Sequence, residues 1–158
     1  MKDSPNMLAL SQSLEQCQRH ADALNEALDD IRLHVFTPDT METLSKLDRR
    51  LLDQFAYRYT RLQDDMGARL MPAVLRALGE EVAAMPAIDR FARLEQLDYL
   101  ASADEWNAMR QIRNQFAHDY PDSTQERFER LMAAIGAAKQ VVATLEHIAA
   151  KLEHRFGK

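Results

Sequence analysis

The chain has 158 residues, of which 46% are hydrophobic and 28% charged, and it contains only four glycines and five prolines. This composition excludes a disordered or fibrous chain and favours a folded, helix-rich protein in one domain, residues 1–158. The formal net charge of −5 argues against a protein whose whole surface binds nucleic acid. Any RNA contact must therefore come from a local cluster of Lys and Arg.

Cys17 is the only cysteine, which excludes an intrachain disulfide and a thiolate metal cluster. The N-terminal residues lack the apolar run of a signal peptide, and no segment has the length of a membrane span. Histidines and carboxylates do not occur together at the spacing of metal ligands. We therefore expect a cytoplasmic protein without membrane contact that uses no metal or other cofactor.

The first half of the chain predicts two long helices. The first runs from Asp3 to about Leu33 and ends before Pro38, which disfavours helix at the preceding residue. Asp39 or Thr40 is the expected cap of the second, which runs from about Met41 to Met66. Its predicted apolar stripe consists of Leu44, Leu47, Leu51, Leu52, Phe55, Tyr59 and Leu62.

Glycine and proline divide the next segment. Gly67 weakens the second helix, and Pro72 starts or kinks a helical stretch from Met71 to Leu78 that stops at Gly79. A short amphipathic helix is expected from about Ala87 to Leu97. Its predicted buried side chains are Ile88, Phe91, Leu94 and Leu97.

A capping box marks the start of the fifth helix. Ser102 is the expected N-cap, and Glu105 follows three residues later. This helix carries Trp106, Met109, Ile112 and Phe116 inward, and Pro121 ends it at or near Tyr120.

Ser123 or Thr124 then caps a last helix from about Gln125 to Arg155. No segment alternates like a strand. The sequence predicts an all-α fold, an antiparallel bundle of four to five helices. The two longest helices are expected to form one antiparallel layer, with the fifth helix packed against them.

The end of the fifth helix carries the most reactive side chains. Arg113, His118 and Tyr120 lie within about two helical turns. Arginine binds phosphate oxygens well, and histidine transfers protons near neutral pH, so this combination suggests chemistry on a phosphate ester. Asn114 lies four residues before His118 and is its direct neighbour on the helix. Arg110, one turn before Arg113 and Asn114, adds a second cation.

Cleavage of an RNA phosphodiester needs a base for the 2′-hydroxyl, an acid for the 5′-oxygen and a cation for the phosphoryl charge. The motif supplies one histidine per chain. A two-fold dimer would bring two copies of Arg113 and His118 to one groove and complete the acid–base pair without a metal. The alternative interpretation is a solvated arginine and a hydrogen-bonded surface histidine.

The second helix offers a local basic surface. From Lys46 to Arg76 there are seven Lys or Arg against four Asp, a balance of +3. Arg58, Arg61 and Arg69 are candidate RNA contacts, and the alternative is a salt-bridged surface in which Asp65 holds the last two.

The remaining aromatic and titratable side chains have less specific patterns. Tyr57 and Tyr59 could stack on bases, although packing in the core or an interface is the favoured interpretation. The other four histidines lie on separate segments, and we expect surface or helix-end positions for them. They are His20, His34, His147 and His154.

The sequence Arg-x4-His-x-Tyr, here Arg113, His118 and Tyr120, resembles the signature of HEPN domains. Three upstream blocks resemble the HepT-like branch: Arg61-Leu62-Gln63-Asp64-Asp65-Met66-Gly67, Leu70-Met71-Pro72 and Leu78-Gly79-Glu80. The pattern Trp106-x3-Arg110-x2-Arg113-Asn114 resembles it as well. The resemblance covers about Leu44 to Leu131, most of the chain.

The resemblance implies a helical bundle that forms a two-fold dimer and acts as a metal-independent ribonuclease toxin of a bacterial toxin–antitoxin pair. The implied partner is a minimal nucleotidyltransferase (MNT) antitoxin. Arg113 and His118 would be catalytic, Asn114 and Arg110 supporting, and Tyr120 the residue that receives AMP. Two alternatives stay open: a non-catalytic module that presents substrate to a nucleotidyltransferase, and a purely structural helical dimer.

Overall fold

A computed structural model describes residues 4–118 and 123–157, and all side chains in these ranges except that of His118. The described residues are helical, with no strand among them. The helices are α1 (Pro5–Arg32), α2 (Lys46–Asp65), α3 (Met71–Ala77), α4 (Ala87–Gln96), α5 (Ala103–His118) and α6 (Thr124–Phe156). A short 3₁₀ turn, Thr40–Glu42, precedes α2, and a π turn, Met66–Leu70, joins α2 to α3.

The helices α1 and α2 pack side by side and run antiparallel, because His34 of the α1 end contacts Asp48 while His20 contacts Asp65. The predicted start of α2 at Met41 is wrong: the helix begins at Lys46. Ser45 is its N-cap, and its hydroxyl accepts a hydrogen bond from the Asp48 amide at 3.0 Å.

The π turn makes α2 and α3 one continuous rod. The amide of Met71 donates to the carbonyl of Met66, five residues back, and Pro72 follows inside the first turn of α3. Proline has no amide hydrogen, so a local change of helix type accommodates it without ending the rod. With this rod counted once, five helical rods form the all-α bundle, within the predicted range.

The rod ends at Gly79, as predicted. Gly79 has φ +86°, its amide donates to the Arg76 carbonyl at 3.0 Å, and the next amide, of Glu80, donates to Leu75 at 2.9 Å. This is the Schellman arrangement, which needs a left-handed residue at the position of the glycine.

Alanine at the two glycines Gly79 and Gly136 should have opposite effects on stability. Gly79→Ala places a side chain at positive φ and is expected to lower the free energy of unfolding by about 1–2 kcal/mol. Gly136 lies inside α6 with open space where a Cβ would be, so Gly136→Ala should raise it by about 0.5–1 kcal/mol. Urea denaturation measures both, and a shift of the same sign would contradict this account.

The predicted caps of α5 and α6 are confirmed. The Ser102 hydroxyl accepts from the Glu105 amide at 3.1 Å, and the Ser123 hydroxyl accepts from the Glu126 amide at 3.3 Å. Trp106, in the first turn of α5, is fully buried at the centre of the core.

Buried side chains from every rod form one core, represented by Leu24, Phe55, Val74, Leu94, Trp106 and Val141. The start of α1 lies beside the end of α6, so these two long helices run antiparallel in contact, as predicted. However, α1 packs more extensively on α2, and the motif helix α5 packs on α6 and α2.

Two residues predicted to be buried are exposed. Leu47 is 72% exposed and Ile88 is 64% exposed. Each lies in the first turn of its helix. Periodicity identifies the apolar side of a helix, but it does not show how far the neighbouring helices extend along that side.

Candidate functional site

The motif segment continues α5 up to His118, so Arg113 and His118 lie on one helix, as the sequence predicts. The side chain of His118 and residue Tyr120 lie outside the described part of the structure. Phe116 anchors this end of α5, with its ring centroid 5.9 Å from that of Phe55 and 5.8 Å from that of Tyr59. The exposed Asn114 is one residue beyond Arg113.

Arg113 forms an ion pair with Asp64 of α2, with its Nη2 atom 2.5 Å from Oδ2. The side chain of Arg113 is 15% exposed, whereas that of Asp64 is 50% exposed. The pair therefore holds a mostly buried guanidinium between α2 and α5, with the carboxylate on its solvent side. It also joins the sequence block 61–67 to the motif arginine.

The next residue, Asp65, holds a second group of polar side chains. Arg61 lies 3.8 Å from its Oδ2 atom, and Nε2 of His20 lies 3.4 Å from the same atom. Arg58 reaches His20 from the other side, 3.0 Å from Nδ1, and also lies over the ring of Tyr57. Adjacent aspartates thus organise arginines from two helices.

The expectation that His20 lies at the surface is wrong, because this residue is 2% exposed. His20 lies three residues after Cys17 on the buried face of α1. This helical spacing from an apolar residue was the pattern in the sequence that could have predicted its burial. Arg58 can only donate, so Nδ1 of His20 accepts and Nε2 carries the proton toward Asp65. Burial lowers the pKa of His20, and the negative charge of Asp65 opposes this shift.

This burial of His20 predicts a pH-dependent stability. The unfolded histidine titrates near its ordinary value of about 6.5, above the lowered folded pKa. The unfolded state therefore binds the proton first, and stability falls as pH decreases below about 6.5, by at most about 1.4 kcal/mol per pH unit. Urea denaturation between pH 5 and 8 should show a smaller loss for His20→Gln. Parallel curves for both proteins would contradict this assignment.

The other predicted candidates have different surroundings. Arg110 contacts the ring of Phe91 at 5.1 Å and donates to Asn107 at 3.1 Å, so its guanidinium is directed toward α4. Tyr59 is fully buried, which confirms a core role, and burial raises its pKa. Tyr57 is 54% exposed. Arg69 is exposed and, unlike Arg61, does not reach Asp65 within ion-pair distance.

A groove of about 350 Å³ lies beside the end of the motif helix. Tyr57 and Thr60 of α2, Ala117 of α5, and Arg127 and Arg130 of α6 are among its lining residues. These two α6 arginines were not predicted from the sequence as site residues. Their only signal was their place in the first turns of the helix after the motif.

Cys17 is a structural residue of the core. It is fully buried, and burial, with a smaller effect of Asp65, raises the pKa of its thiol to about 12. The thiol therefore stays protonated and unreactive near neutral pH.

No three His, Cys, Asp or Glu side chains in residues 4–117 and 123–157 converge to hold a metal ion. None of the helices in these parts of the chain is long and apolar enough to cross a bilayer. The chain matches no protein-family model, no curated protein and no solved structure.

Proposed function

We propose that this protein is a metal-independent ribonuclease of the HEPN kind, with Arg113 and His118 as its catalytic residues. The observation that carries the proposal is the ion pair between Arg113 and Asp64. It orients the motif arginine on α5, five residues before His118. A guanidinium that is already oriented loses less conformational entropy when a phosphate binds.

The proposed active site is completed by a second copy of the chain. One motif histidine cannot be acid and base in the same step. The outer face of α5 is available for contact with the same face of a second subunit. Its exposed residues in the single chain are Gln111, Asn114, Gln115 and Ala117. A dimer across this face would bring two copies of Arg113 and His118 to one groove.

In this mechanism His118 of one subunit takes the proton of the 2′-hydroxyl, and the 2′-oxygen forms a bond to phosphorus. The bond from phosphorus to the 5′-oxygen breaks, and the protonated histidine of the other subunit gives its proton to the leaving oxygen. Arg113 stabilises the negative charge that grows on the phosphoryl oxygens. The products are a 2′,3′-cyclic phosphate and a 5′-hydroxyl.

The physiological role that fits such an enzyme is a toxin restrained by an MNT-type nucleotidyltransferase antitoxin, with Tyr120 as the residue modified by AMP. The exposed Tyr57 and the arginines Arg127 and Arg130 provide a surface for RNA beside the motif. Arg58 and Arg61, on the same helix as Tyr57, are further candidates for RNA contact.

The deciding experiment is RNA cleavage by the purified protein in EDTA, with the ends of the fragments identified by mass spectrometry. We expect cyclic phosphate ends from the wild type and a rate loss of about 100-fold or more for His118→Ala. His154→Ala, at another exposed histidine on α6, is the matched control and should cleave normally. Equal rates for the two variants would reject catalysis by His118.

One observation favours a second function, a non-catalytic partner of a nucleotidyltransferase. The charge of Arg113 is already balanced by Asp64, as in an arginine whose role is to hold two helices together. This function predicts stable co-purification with the nucleotidyltransferase and no toxicity when the chain is expressed alone. Growth arrest on expression, relieved by His118→Ala, would exclude it.

A further inference from the structure

A second polar groove lies on the α1 side of the α2–α3 rod, separate from the contact between Arg113 and Asp64. It has a volume of about 470 Å³, within the usual range of small-molecule sites. It exists because alanines lie where longer side chains would fill the space between the helices. These are Ala9 of α1, Ala68 of the π turn and Ala73 of α3.

Two arginines on the rod, Arg69 and Arg76, form the positive wall of this groove. Neither guanidinium makes an ion pair or a hydrogen bond with any residue in the ranges 4–118 and 123–157. They differ in this from Arg61 and Arg113, which adjacent aspartates hold. Seven residues of helix separate the two arginines by about 10 Å, which lets their long side chains reach one anion from two directions.

The facing wall, on α1, has no charge. Gln12, Ser13 and Gln16 lie along one face of this helix. The Nε2 atom of Gln16 already contacts Nε2 of His20 at 3.3 Å, whereas Gln12 and Ser13 offer amide and hydroxyl groups. These groups donate and accept hydrogen bonds, as the hydroxyls of a sugar require. A carboxylate, that of Asp65, is at one end of the groove. Its Oδ2 atom is buried beside His20 and Arg61, so the carboxylate contributes negative charge at the groove rather than an open hydrogen-bond acceptor at that atom.

We propose that this groove binds a sugar phosphate, with the phosphate between Arg69 and Arg76 and the sugar hydroxyls toward the amide and hydroxyl groups of α1. Two guanidinium groups match the charge of a phosphate dianion and bind its oxygens in a fork. The negative charge of Asp65 repels the phosphate, which sets the orientation of the ligand. This site is independent of the proposed ribonuclease activity.

Isothermal titration with ribose 5-phosphate, inorganic phosphate and ribose tests the proposal on the full chain. We expect saturable binding of ribose 5-phosphate, weaker binding of inorganic phosphate and none of ribose. The double variant Arg69→Ala/Arg76→Ala should weaken ribose 5-phosphate binding at least about tenfold. Gln12→Ala should reduce the preference for ribose 5-phosphate over inorganic phosphate.

The matched control is Arg49→Ala/Arg50→Ala, which removes two exposed arginines in the first turns of α2. The proposal would be overturned if the two double variants lost the same amount of affinity for ribose 5-phosphate. It would also be overturned if the wild type bound ribose 5-phosphate and inorganic phosphate with equal affinity. A wild type that binds RNA through Arg69 and Arg76 but does not bind ribose 5-phosphate would overturn it as well. Thermal unfolding should be the same for both variants, since all four side chains are exposed.

Discussion

Replacing Arg113 by alanine should reduce the rate of RNA cleavage by about 10²–10³-fold, the effect of removing one positioned group that stabilises transition-state charge. The fold should tolerate this change. Asp64 is 50% exposed, so water solvates its carboxylate when the arginine is absent. We expect the free energy of unfolding to fall by no more than about 2 kcal/mol.

Arg113→Lys separates charge from geometry at this position. Lysine keeps the positive charge but lacks the planar fork that an aspartate and a phosphate can share, so its cleavage rate should lie between those of the wild type and the alanine variant. Arg49→Ala, at an exposed arginine of α2, controls for the loss of one positive charge. Initial rates on a fluorescent RNA in EDTA measure all four proteins. Cleavage by Arg113→Ala at the wild-type rate would reject a catalytic role for Arg113.

Trp106→Ala should lower the free energy of unfolding by about 3–5 kcal/mol, the largest stability change expected for a single substitution here. The indole is fully buried. Its ring packs edge-on against Phe91 with centroids 6.3 Å apart, and it lies 3.9 Å from the position of a Cβ on Gly67. It therefore joins α4, the π turn and α5, and its removal leaves a cavity among three elements.

Ile88→Ala is the control for Trp106, because the sequence predicts both side chains to be buried. Ile88 is 64% exposed, and its truncation should change stability by no more than about 0.5 kcal/mol. Urea denaturation followed by circular dichroism measures both variants. Similar losses for the two would show that α4 buries its first turn in solution.

Features that depend on a few neighbouring residues were predictable. Ser102 and Ser123 were recognised as caps because the bond from a cap to the helix spans three residues. Gly79 was recognised as a stop because a left-handed residue favours glycine. The start of α2 was missed because both Thr40 and Ser45 are good cap residues, and the first of them opens only a 3₁₀ turn.

The contacts of the candidate site were not predictable in the same way. Asp64 and Asp65 are adjacent in sequence, yet one pairs with Arg113 of α5 and the other lies beside His20 of α1. Successive residues on a helix point about 100° apart. Which neighbour each meets depends on where the other helices pack.

The helical class, most helix ends and the motif that suggests phosphate chemistry could be predicted from the sequence, because these follow from periodicity, capping and residue chemistry within a few turns. The tertiary structure decided which charges are paired, which apolar residues are covered and where grooves remain. The reason is physical: burial and ion pairing depend on residues that are distant in the chain, such as Asp64 and Arg113, and become neighbours only when the helices pack.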